Sequence, residues 1–247
     1  MLLTPPRWFA HRGGGALAPE NTLAGIRLAA RLGFRAVEFD VMLSADGTPV
    51  LIHDETLERT TNGRGLVCEA SDAYLFSLDA GNGEPVPRFA DAAALCLEYG
   101  LLANVEIKPA AGYELQTAEV VTTMAARLWQ GASVPPLLSS FSLPALDVAL
   151  TLAPHLPRGV LFDTVPADWA AQARQLAAVS LHCNAGLLSD EVLAEAKDLG
   201  LPVLCYTVNA ADQARELFAR GVSAVFTDCL DVFAAETSAY KGLHLPG

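Results

Sequence analysis

Short apolar runs alternate with helix-like stretches about eight times along this chain, and no other feature narrows its fold as much. The runs fall at residues 8–10, 36–41, 101–108, 137–140, 159–162, 179–183, 203–207 and 224–227. Each is too short to be read as a helix. Each is followed by residues whose apolar positions recur at three- and four-residue spacing. Gly33 and Gly100 stand where two of these helices should stop. About eight strand–helix units with short links, in 247 residues, predict an α/β fold: a closed (β/α)8 TIM barrel in a single domain spanning residues 1–247. An open doubly wound sheet is the alternative.

One interruption is expected after the second strand. Ser44-Ala45-Asp46-Gly47-Thr48 carries an Asp-Gly hairpin signal, and Pro49-Val50-Leu51-Ile52 returns as a strand that delivers His53-Asp54. Residues 55–88 then show weak periodicity and many glycines and prolines. A short irregular insertion of this kind in a compact domain is functional or caps something.

The second strand reads Ala36-Val37-Glu38-Phe39-Asp40-Val41. Val37, Phe39 and Val41 share one face, Glu38 and Asp40 the other. An exposed strand with one wet face would account for this pattern. In a barrel covered on both faces, however, the two carboxylates are enclosed together and repel. The third strand adds Glu106 from Asn104-Val105-Glu106-Ile107-Lys108. Two unit charges about 4 Å apart repel by on the order of 4 kcal/mol at an effective dielectric near 20. A hard divalent cation relieves this and prefers oxygen ligands. Glu38, Asp40 and Glu106 are therefore the candidate metal ligands, with Arg12 and Lys108 left to face a phosphate. The plainer alternative is that Arg12 and Lys108 neutralise two of the carboxylates as ordinary ion pairs.

Strand ends supply the remaining chemistry, since barrel enzymes work at the C-terminal mouth. His11 ends the first strand and His53 the hairpin. Either could be a metal ligand or a satisfied core residue. As a pair flanking a carboxylate strand, they fit acid–base catalysis of phosphodiester cleavage, where one group takes a proton and another gives one. Tyr206 and His182 are candidates for lining the pocket. Asn21 is expected to open the first helix and Arg59 to tie down the insertion. His155 and His244 are read as surface residues.

Composition enters as a filter. The net charge of -12 argues against nucleic acid or an anionic membrane as the main partner. No run of about 18 uncharged apolar residues is present, so no integral membrane association is expected. The N-terminus lacks a basic head with an apolar run behind it. The five cysteines form no Cys-x-x-Cys pair and are expected to be reduced and mostly buried, as in a cytoplasmic protein.

His11-Arg12-Gly13, Pro19-Glu20-Asn21-Thr22, Glu38-x-Asp40, Asp46-Gly47, His53-Asp54, Arg59-Thr60-Thr61 with Gly63 and Gly65, Glu106-Ile107-Lys108, Ser139-Ser140-Phe141, Tyr206-Thr207-Val208-Asn209 and Thr227-Asp228 stand in this order along almost the whole chain. In this the chain resembles the glycerophosphodiester phosphodiesterases, in their short cytosolic bacterial form. The resemblance implies hydrolysis of glycerophosphodiesters, the deacylated phospholipids of lipid and glycerol metabolism, to sn-glycerol 3-phosphate and an alcohol. It implies one divalent ion, Mg2+ or Ca2+, on Glu38, Asp40 and Glu106. It implies His11 and His53 as general acid and base, and Arg12 and Lys108 as phosphate contacts. It also implies a route in which the substrate's own glycerol hydroxyl attacks and water opens a cyclic phosphate. Many relatives carry tryptophan where Tyr206 stands, and altered alcohol or glycerol contacts are expected there. The insertion is short for a capping domain, so an open mouth is expected. A lysophospholipase-D-like enzyme and a non-catalytic binding barrel are the alternatives.

Overall fold

The computed structural model describes residues 4–239; His244 lies outside them. Nine strands form one sheet: β1 (Trp8–Ala10), β2 (Ala36–Leu43), β3 (Pro49–Leu51), β4 (Leu102–Ile107), β5 (Leu137–Ser140), β6 (Arg158–Phe162), β7 (Ser180–Asn184), β8 (Val203–Tyr206) and β9 (Ala224–Thr227). All but β3 run parallel, and β1 pairs with both β2 and β9, which closes an eight-stranded barrel. β3 folds back antiparallel on the far end of β2. The barrel is the expected one, and an open sheet is excluded by the β1–β9 pairing.

Helices cover the outside: α1 (Leu23–Arg31), α2 (Asp72–Leu75) within the insertion, α3 (Phe89–Tyr99), α4 (Glu114–Leu128), α5 (Leu143–Leu152), α6 (Trp169–Gln175), α7 (Asp190–Asp198), α8 (Ala211–Arg220) and α9 (Leu230–Ala239). Several ends follow local chemistry. Ser142 and Ser189 cap α5 and α7 with their hydroxyls. Gly100 ends α3 at φ 63, a left-handed conformation that costs glycine little. Among the described residues, no helix is long and apolar enough to cross a membrane.

The two faces of the strands separate the core from the site. Val37, Phe39, Val41, Val105 and Ile107 point outward and join the large core beneath the helices. Inside the barrel, Phe9, Ala36, Leu102, Leu137, Leu204, Ala224 and Phe226 form a separate apolar plug. Register then stacks polar residues on that plug. Glu38 lies beside Asn104, Asp40 beside Glu106, and Glu106 beside Ser139.

The insertion is less irregular than its sequence. Leu57, Val67, Leu75, Leu78 and Val86 pack with Met42, Val50 and Ile52 into a small core of their own. The Asp72 carboxylate accepts hydrogen bonds from the Ser44 and Thr48 hydroxyls, at 2.6 Å each. The segment is therefore fastened to the β2–β3 hairpin. Its periodicity is weak because its core is gathered from short turns rather than from one helix face.

Candidate active site

At the C-terminal ends of the strands lies a cleft of about 120 Å³. His11, Arg12, Glu38, Asp40, His53, Glu106, Lys108, His182 and Tyr206 all line it. The residues expected to serve as metal ligands, acid–base groups, phosphate contacts and pocket lining thus all reach one place. Asn104, Ser139, Phe141, Leu161, Thr207 and Phe226 complete the wall.

The floor is the carboxylate cluster. Glu38, Asp40 and Glu106 are buried, and one oxygen from each lies within 4.8 Å of the others. Asp40 takes most of the compensation. Lys108 Nζ donates to its Oδ1 at 3.1 Å, Asn21 Nδ2 donates to its Oδ2 at 2.9 Å, and Arg12 Nε lies 3.8 Å away. Burial opposes ionisation of Asp40, but Lys108, His53, Arg12 and the Asn21 hydrogen bond outweigh it and hold the carboxyl below its usual range. Its neighbours are less well served. Burial, then the charge of Asp40, push Glu38 up to about 7. The same two causes raise Glu106 well above the ordinary carboxylate range. Arg12 and Lys108 are ion-paired rather than free of the carboxylates. Two cations are too few to keep all three buried carboxyl groups ionised together.

Both imidazoles are held from behind. His11 Nδ1 lies 2.7 Å from Asp228 Oδ1, which leaves Nε2 toward Glu38 at 3.8 Å. Burial would depress the His11 pKa, but the Asp228 hydrogen bond and the Glu38 charge raise it. Asn209 steadies Asp228 in turn, its Nδ2 donating to Oδ2 at 3.1 Å. His53 Nδ1 lies 2.6 Å from Asp54 Oδ1. Here burial, aided by Lys108 and Arg12, prevails over Asp40 and Asp54 and lowers the pKa. A carboxylate on Nδ1 fixes the ring and presents Nε2 to the cleft.

Arg59 of the insertion joins two of these supports. Its guanidinium donates to both Asp54 oxygens, at 2.5 and 2.9 Å, and to both Glu20 oxygens, at 2.7 and 2.8 Å. Glu20 Oε1 also accepts from Arg12 Nη1 at 2.9 Å. Tying down the insertion, the role expected from the sequence, is thus only part of what Arg59 does.

Asn21 departs from expectation. The residue that caps α1 is Thr22, whose side chain accepts from Gly25 N. Asn21 is buried with φ 56 and braces Asp40 from both ends of its amide, Oδ1 accepting from Asp40 N at 3.0 Å. A Pro-Glu-Asn-Thr run offers two residues suited to capping, and the sequence alone does not say which is diverted inward. His182 sits deep in the barrel, 1% exposed and 2.9 Å from Ser180 Oγ. Burial lowers its pKa to about 3, so it stays neutral. His155 is exposed, as expected. The sequence assigned no role to Asp228 or Asn209. Their one visible signal was polar character at the ends of the last two barrel strands.

Comparison with known proteins agrees with this geometry. Residues 11–232 match the glycerophosphoryl diester phosphodiesterase family. A glycerophosphodiester phosphodiesterase of Caldanaerobacter subterraneus subsp. tengcongensis is 31% identical over 89% of this chain and 93% of its own. The structure of an Oleispira antarctica phosphodiesterase in complex with the product sn-glycerol-3-phosphate superposes with a TM-score of 0.90 and 35% identity, covering 95% of this chain and 97% of that one. A glycerophosphodiester phosphodiesterase of Agrobacterium tumefaciens gives a TM-score of 0.78 at 26% identity, covering 94% of this chain and 100% of that one. The chain belongs to the glycerophosphoryl diester phosphodiesterase family and is a hydrolase of glycerophosphodiesters.

Proposed function

We propose that this chain cleaves a small glycerophosphodiester to sn-glycerol 3-phosphate and an alcohol, with His11 and His53 as the proton-transfer pair. The observation that carries this reading is the cleft itself: two imidazoles, each fixed at Nδ1 by a carboxylate, stand over a floor of three buried carboxylates. sn-Glycerol-3-phosphate as the product in the Oleispira relative supports the choice of product.

The residues on the floor fit a divalent cation. Glu38, Asp40 and Glu106 offer only oxygen donors, the preference of Mg2+ and Ca2+. Fully ionised, they would carry more charge than Arg12 and Lys108 balance, which a divalent ion would make good. When bound, such an ion would polarise the phosphoryl oxygens. The chain's own groups do the rest. Arg12 and Lys108 draw the phosphate into the mouth of an otherwise acidic protein. One imidazole Nε2 accepts the proton of the attacking hydroxyl as its oxygen bonds to phosphorus. The other donates a proton to the alcohol oxygen as its P–O bond breaks, and water then opens the resulting cyclic phosphate with the two proton roles exchanged, giving sn-glycerol 3-phosphate. Asp228 and Asp54 hold the rings so that both transfers occur at Nε2.

The test is release of glycerol 3-phosphate from glycerophosphocholine, with chelator and then with Mg2+ or Ca2+ restored. His11→Ala and His53→Ala should each abolish turnover and leave the fold and metal binding intact. Near-wild-type turnover in either variant would remove that histidine from the mechanism. Glu38→Ala, Asp40→Ala and Glu106→Ala should each weaken cation affinity in a calorimetric titration. Unchanged titrations in all three would sink the metal site.

A further inference from the structure

One polar atom on the wall of the cleft has no place in the steps above. Asn104 stands on β4, two residues before Glu106, so both side chains face the barrel interior. It is 1% exposed. Its Nδ2 donates to Ser139 Oγ at 3.0 Å. Its Oδ1 is buried and has no hydrogen-bond partner among the described residues. Folded proteins seldom leave a buried acceptor in this state, because it has lost water and gained no donor in return.

The sheet fixes where that oxygen points. β4 lies between β5 and β2. Ser139 belongs to β5, so the nitrogen end of the amide turns toward β5 and the oxygen end toward β2. On β2, Glu38 is the register partner of Asn104, and Asp40 is that of Glu106. The orphan oxygen therefore stands on the side of the carboxylate floor. The donors around that floor serve other oxygens: Lys108 and Asn21 donate to Asp40, and Arg12 Nη1 to Glu20. A hard cation has the opposite need. Mg2+ and Ca2+ gather about six or more oxygens, more than one from each of three carboxylates provides, and Ca2+ takes amide carbonyls readily. A fourth carboxylate at this position would add repulsion to the floor, whereas an amide adds an oxygen without charge.

Resting on the cation reading above, we infer that Asn104 is a further residue of the metal site, its Oδ1 kept free for the ion's coordination shell and its amide held in place by Ser139. The unpartnered oxygen weakens the fold by itself and favours the ion when one is bound. With the two ends of the amide exchanged, Nδ2 would brace Glu38, Oδ1 would accept from the Ser139 hydroxyl, and no oxygen would be left over. The two arrangements predict opposite effects on stability.

Asn104→Val combined with Ser139→Ala removes the amide and its holder together, with apolar side chains of similar size in their place. Chelator-treated protein is titrated calorimetrically with Mg2+ and with Ca2+, and melted without either. The double variant should bind the ion about 10- to 100-fold more weakly than wild type, the range for groups that support a metal's ligands. Without the ion it should melt at or above the wild-type temperature, because a buried unpaired acceptor has gone. Asn104→Asp, which keeps an oxygen in place, should hold the ion at least as tightly as wild type. Affinity unchanged in the double variant, or lowered alike in Asn104→Asp, would overturn the assignment and leave the cation reading standing. A melting temperature below wild type would overturn it too, since the amide would then be a brace for Glu38. Failure of either ion to bind the wild type would sink the cation reading itself, and the place of Asn104 with it.

Discussion

Arg59 is absent from the wall of the cleft, yet two residues that do line it depend on what it holds. Its fork reaches Asp54, which fixes His53, and Glu20, which fixes Arg12. The proposed proton-transfer group His53 and the proposed phosphate contact Arg12 are thus both set by one side chain of the insertion. Exposed ion pairs add little to stability, so the loss on substitution should appear in rate rather than in melting temperature. Arg59→Ala should lower kcat by about 10- to 100-fold, the scale of a misplaced catalytic group. Arg59→Lys should not restore it, because an ammonium cannot satisfy two carboxylates through a planar fork. Steady-state kinetics beside a thermal melt would decide the matter, and a wild-type kcat in Arg59→Ala would sink the idea. At this scale the sequence was legible where chemistry sits at a strand end and silent where it is relayed. His11, Glu38, Asp40, His53 and Glu106 stood out by type and position. The second tier of Asp228, Asn209, Glu20 and Asn21 joins separate segments, from 8 to 217 positions apart, and no helix or strand period records such pairings.

Among the elements, the loop between β1 and α1 carries the tightest packing constraint. It bears His11 and Arg12, and its Gly14 lies against Gly25 in the first turn of α1. A Cβ added at Gly25 would lie 2.7 Å from Gly14 N. Backbone cannot yield there as a flexible side chain would. Gly25→Ala should therefore push the loop outward and cost about 1–3 kcal/mol, the usual range for overpacking. It should also reduce kcat, because His11 moves with the loop. A melting temperature and a kcat both equal to wild type would mean that the loop and helix separate freely. The strands and most helices were readable because each has one apolar face, as in β2, where Phe39 goes to the core and Asp40 to the cleft. The insertion was unreadable for the converse reason: its core side chains come from turns with no period.

Over the whole molecule, the barrel interior is a titrating environment as well as a scaffold. His182 is buried and refuses a proton until about pH 3, whereas in the unfolded chain it takes one near the ordinary value of about 6.5. Between those limits the unfolded state binds more protons, so this residue makes the fold less stable as pH falls from about 6.5 toward 3. The slope from one such proton is at most about 1.4 kcal/mol per pH unit. His182→Gln should flatten the dependence of unfolding free energy on pH across that window, measured by urea titration at several pH values. Parallel curves for variant and wild type would mean that His182 is protonated in the fold. Barrel closure has a consequence of another kind. His11 and Asp228 are 217 positions apart and meet through the pairing of the first barrel strand with the last. During synthesis a nascent chain carries all three floor carboxylates and both imidazoles once Glu106 has emerged, yet His11 gains its orienting carboxylate only with the last barrel strand. A nascent fragment that lacks this strand therefore has the parts of the site without the contact that aligns His11.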